Sequence, residues 1–210
     1  MRAPLLAGLA FVAMLAAADV ALAQEPATPP ADSKVDPKAE RRPLRAAVPD
    51  RTKRLDGLFE ALKRSPDAQI SKVIEARIEA ALLVSGSDTA DLLMVRARVA
   101  VEAKDTALAL ELLDALIEFE PNFAEARARR ATLLYLKKDV SGALADIRVA
   151  LAREPRHFGA LTGLGVILQD IGDDKRALDA LRRAIEVHPH LPNIGDIIKR
   201  LEVKVEGRDI

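Results

Sequence analysis

Prolines at 121, 155 and 189 stand 34 residues apart, and three further positions keep that interval. Asp105, Asp139 and Asp173 form one series, Ala109, Ala143 and Ala177 a second, and Ala97, Ala131 and Gly165 a third. Several positions sharing one period mark a supersecondary unit made repeatedly, not one domain folded around a central core. Such units bury their apolar faces only against neighbours, so the chain is expected to grow as a stack.

The local pattern within a unit is helical. In "ADLLMVRARVAVEAKDTALALELLDALIEFEP" (90–121), apolar residues recur three and four apart on both sides of Lys104-Asp105. Two helices of about fourteen residues are implied, with Asp105 as N-cap of the second. The small residues at 97 and 109 fall where paired helices cross, and a larger side chain there would push them apart. The proline ends the second helix, because it donates no amide hydrogen and its ring clashes with the preceding turn.

These residues resemble the tetratricopeptide repeats (TPR) in their bacterial exported form. "GALADIRVAL" (142–151) and "LGVIL…GDDKRALDALRRAIEVHP" (164–189) carry the likeness, with Ala131, Ala143, Ala150 and Pro155 as the pattern of the middle copy. The family's bulky early position is filled by Leu93, Arg127 and Leu161, and its aromatic position by Ala100, Leu134 and Leu168. The resemblance implies an all-α, right-handed superhelix of antiparallel helix pairs, a TPR solenoid of about nine helices. The TPR-like domain is expected over 50–204, with repeats at 90–123, 124–157 and 158–191. Residues 50–86 read as a degenerate capping helix pair, 192–204 as a C-terminal capping helix and 205–210 as a tail.

The N-terminus reads as a targeting segment. Arg2, an apolar run from Leu5 to Ala18 and "ALA" at 21–23 predict a signal peptide, 1–23, cut after Ala23. The alternative is an anchor that stays uncleaved. Export to the periplasm or beyond is expected, with no stable membrane insertion after cleavage. Residues 24–49 hold six prolines and should be an extended, disordered linker.

Composition removes several classes of function. Without cysteine, disulfide frameworks, thiol nucleophiles and Cys-zinc sites are excluded. With 32 basic and 32 acidic residues the chain lacks the cationic excess that nucleic-acid binding requires, so no nucleic-acid partner is expected. His157, His188 and His190 belong to inter-unit turns, where exposure is the plainer reading of "HPH" than a metal site. Gly165 holds the small crossing position, and no glycine-rich loop precedes a basic helix start. No catalytic residue, cofactor or metal is expected, and the chain does not read as an enzyme.

Binding is the class the resemblance implies. First helices of successive units line a concave groove that takes a peptide or partner protein. By position, that groove presents Asp91, Met94, Val95 and Arg98 from the first copy, and Glu125, Ala128, Arg129, Thr132 and Tyr135 from the second. The third copy offers Gly159, Thr162, Gly163, Val166 and Gln169. Arg98 and Arg129 are suited to a carboxylate or a carbonyl. The Lys and Asn set of the family's chaperone-tail binders is absent from the groove. The alternative is a structural, self-associating scaffold subunit, a homo-oligomer with contacts at the ends or convex face of the stack.

Overall fold

A computed structural model describes residues 48–207, so the expected signal peptide and nearly all of the linker lie outside the described residues. Nine helices and no strand are found among them: α1 (Val48–Lys63), α2 (Ala68–Leu82), α3 (Asp88–Glu102), α4 (Thr106–Phe119), α5 (Ala124–Leu136), α6 (Val140–Arg153), α7 (Phe158–Asp170), α8 (Asp174–Val187) and α9 (Ile194–Glu206). The pairs α3–α4, α5–α6 and α7–α8 are antiparallel hairpins, stacked through α4 on α5 and α6 on α7, and α9 closes the far end on α8.

One turn is made three times within the hairpins. Lys104, Lys138 and Gly172 each adopt positive φ (61°, 68° and 83°). The amides of Asp105, Asp139 and Asp173 reach back to the carbonyls of Ala100, Leu134 and Leu168 at 2.8–2.9 Å, closing the preceding helix. Each aspartate then turns forward, its carboxylate accepting from the N–H of Leu108, Gly142 or Arg176. The "KD" break is thus a C-cap and an N-cap fused.

Buried small residues let the helices approach. Ala97, Ala109, Ala131, Ala143 and Ala177 are all buried. At Gly165 a Cβ would lie 2.5 Å from Leu181 Cγ and Cδ2, so only glycine fits unless Leu181 moves. Asp146 is a buried carboxylate on α6, held by Arg127 at 2.9 Å and by Arg130 at 2.6 and 2.8 Å. Arg130 also reaches Asp114 on α4 at 2.6 Å, tying one unit to the unit before it.

The first hairpin departs from the expected end cap. α1 and α2 run lengthwise along the edge formed by the proline turns. Arg51 and Leu55 stand with the turn around Phe123. Asp56 meets Arg156 at 2.8 Å, and that guanidinium lies 4.4 Å from the centre of the Phe59 ring. Farther along, His190 Nε2 donates to the Ser65 carbonyl at 3.0 Å. Phe59, Leu62, Ile78 and Leu82 form a core with Phe158, flanked by Val187 and Leu191. The reason is chemical. The hairpin has one apolar stripe, and the proline turns offer Phe158, Val187 and Leu191 to receive it.

That placement also corrects the reading of the histidines. His188, expected on an exposed turn, is buried edge-on to Phe158 with ring centres 5.2 Å apart, and its Nδ1 lies 3.5 Å from the Ser71 hydroxyl. Its Nε2 is 3.4 Å from Glu75. His157 is buried as well.

Candidate functional site

The concave face is set by α3, α5 and α7. α5 runs through it with Arg129 one turn after Glu125, so the two pair along the helix, Nε to Oε1, at 2.6 Å. Glu125 is buried, and its other oxygen accepts from His157 Nε2–H at 3.0 Å. His157 Nδ1 in turn accepts from the Ala160 N–H at 3.3 Å, capping α7 and leaving the ring proton on Nε2. Burial pushes the Glu125 carboxyl up, but the hydrogen bond from His157 and the charge and bond of Arg129 outweigh it and hold the group below the ordinary range.

Two cavities adjoin on this face. One, about 130 Å³, lies between α3 and α5 with Arg98, Arg129 and Thr132 at its walls and Ala97, Val101, Leu113 and Leu133 beneath. The second, about 200 Å³, shares Arg129 and Thr132 and extends past Ala128 to Phe158 and Gly159. Its remaining walls are Glu125 and His157, with Glu79 and Leu82 contributed by α2. Burial, then Glu75 and Glu125, raise the Glu79 carboxyl, while Arg129 and Arg98 pull it down without prevailing. The result is a shallow apolar trough carrying two guanidinium groups. Two guanidinium groups above an apolar floor have the chemistry to pair with a carboxylate.

The residues assigned to the groove divide. Arg98, Arg129 and Thr132 converge on the first cavity, and Glu125, Ala128 and Gly159 on the second. Met94 is a correction: it is buried in the core with Ala90 and Ala97, because residues three and four apart share a helix face. Asp91 is taken up in the α2–α3 turn, accepting from the Ser85 amide at 2.6 Å and hydroxyl at 2.7 Å. Tyr135 donates to Asp170 at 2.7 Å, joining α5 to α7. Thr162, Gly163, Val166 and Gln169 are half-buried on α7 and line neither cavity. Val95 lies on the outer end of the stack.

Glu79 and Leu82 are groove residues that the sequence did not show, since nothing in α2 keeps the 34-residue period. Among the described residues there is no cluster of three or more His, Asp or Glu able to hold a metal ion, and no helix long and apolar enough to cross a membrane.

Stacked helical hairpins with capped turns and a concave trough define a repeat solenoid. Comparison with known proteins gives the family. Over 154 residues the chain is 38% identical to a TPR repeat-containing protein of Rhizobium etli, covering 73% of this chain and 76% of that protein. The chain therefore belongs to the TPR repeat family. No family model matches it. Among solved structures, it resembles the first TPR domain of Spaghetti (RPAP3) bound to the HSP90 peptide SRMEEVD, with TM-score 0.54, 15% identity, and coverage of 57% of this chain and 95% of that one. It also resembles the TPR2B domain of yeast Sti1 in complex with pHsp70, with TM-score 0.50, 20% identity and coverage of 59% and 100%. Proteins of this family and fold are typically non-enzymatic modules for binding other proteins.

Proposed function

We propose that this chain is an exported, non-enzymatic interaction module of the cell envelope, docking an extended peptide or partner segment with an acidic group in the trough between α3 and α5. The observation that carries the reading is the meeting of Arg98 and Arg129 above an apolar floor in one cavity. A carboxylate entering there exchanges hydration for two charge-assisted hydrogen-bond donors, while neighbouring apolar side chains cover Val101 and Leu133. Export rests on the apolar run and "ALA" at 21–23.

The test is chemical crosslinking in the envelope fraction with the wild-type chain beside an Arg98→Glu variant. Arg98 is exposed, so its reversal leaves the core intact. Arg129 is left alone because reversing it would set a carboxylate against Glu125. A partner captured by the wild type and lost on Arg98→Glu supports the groove; equal capture by both refutes it. N-terminal sequencing of the exported protein should begin at Gln24, and an intact Met1 would refute cleavage.

A further inference from the structure

Among the described residues, no helix covers the near end of the stack. Because α1–α2 lies along the turns, nothing among the described residues takes the place that a preceding unit holds in the other repeats. Repeat equivalence makes this measurable. Leu92 and Val99 on α3 are 52% and 58% exposed, whereas their equivalents Ala126, Ala160, Leu133 and Ile167 are all 6% exposed or less. The same holds for charge. Arg130 on α5 binds Asp114 of the unit before it, but its equivalent Arg96 has no ion pair among the described residues. On α4, Leu108 and Phe119 are also exposed, and Leu108 and Leu112 join Val95 and Val99 around one apolar depression with Arg96 and Asp105 on its rim.

We propose that this α3–α4 end face is a two-fold interface with a second copy of the chain. The face supplies its own counter-charge. Arg96 lies on α3 and Asp105 at the start of α4, both on the rim of the depression. A two-fold axis brings the cation of one copy to the anion of the other, twice. The opposite end cannot accept this face. There α9 turns Ile194, Ile198 and Leu201 inward and leaves Asp196, Lys199 and Arg200 exposed with Val203 as its one exposed large apolar side chain, so head-to-tail growth finds little apolar surface and the assembly is expected to stop at two. Taking 1.5 Å per residue for 14 residues and two helices each about 10 Å wide, one copy contributes roughly 400 Å², or about 800 Å² in all. That is below the usual range for permanent dimers, so the pair is expected to dissociate on dilution.

The test is sedimentation velocity of the full chain over roughly 1–500 µM, the range in which an interface this small dissociates. The wild type should pass from monomer to dimer and no further. Val99→Glu should weaken the dimer at least thirtyfold with an unchanged helical melt, since Val99 is exposed in the monomer. Arg96→Glu should weaken it several-fold, and added salt should weaken the wild-type dimer but not the Arg96→Glu dimer. This second series carries the test even if Val99→Glu fails to fold. A wild type that stays monomeric, association that continues past two, or a dimer indifferent to both Val99→Glu and Arg96→Glu would overturn the proposal.

Discussion

Replacing Phe59 with alanine should release the first hairpin while leaving the rest of the solenoid folded. Phe59 is buried against Phe158, Val187 and Leu191 and lies beneath the Arg156 guanidinium. Truncating a buried phenylalanine costs about 3–5 kcal/mol, and loss of the cation–π contact adds about 0.5–1 kcal/mol. The polar ties that remain, such as Asp56 to Arg156 and His190 to the Ser65 carbonyl, are half-exposed or single bonds and cannot offset that. A local opening made easier by about 4 kcal/mol is roughly a thousandfold in its equilibrium constant. Hydrogen exchange read by segment measures it. Amides of α1 and α2 should exchange about a thousandfold faster, with α5 to α8 unchanged because α5–α6 and α7–α8 keep their own cores. Equal loss of protection in all helices would show the hairpin to be integral to the stack. No change in α1 and α2 would show that Phe59 does not hold it.

Other substitutions probe the repeat itself. Asp146→Ala takes the buried carboxylate from Arg127 and leaves Arg130 only Asp114, and should cost about 1.5–3 kcal/mol, lowering the calorimetric melting temperature by about 5–10 °C. Lys138→Gly relieves a side chain at positive φ and should stabilise by about 0.5–1 kcal/mol in urea unfolding; a loss would refute the turn geometry. Glu79→Gln tests the electrostatics of the groove. A carboxyl raised in the folded state contributes stability below its unfolded value, about 4.3, and loses it as pH rises through the folded value. The variant should therefore melt above the wild type at pH 7 and level with it below pH of about 4. Glu125, held low, acts with the opposite sign: its stabilisation is present at neutral pH and is lost as acid reaches its folded value.

The solenoid was legible because its determinants are local and repeated. The Lys-Asp or Gly-Asp break, the small residue at each crossing and the proline after each second helix all act within one unit, so one sequence carries three readings of them. The seat of α1–α2 was not legible. Its apolar stripe specifies burial but not against what, and Phe158, Val187 and Leu191 acquire a common surface only when the units stack. That hairpin also buries His188, which the turn alone would leave in water. Met94 could have been read correctly from its spacing to Ala90 and Ala97. Arg98 and Arg129 were placed by their position in the unit, but their meeting in one cavity depends on how far α5 turns relative to α3, which spacing does not encode.

The most direct test of the groove reading is site-specific photocrosslinking in the producing cell. A photoreactive residue replaces Thr132, exposed on the trough wall, and in a parallel strain Lys199, exposed on α9. The account predicts a discrete adduct from position 132 that disappears on Arg98→Glu, and none from position 199. Adducts of equal yield from both positions, or from 199 alone, would contradict it.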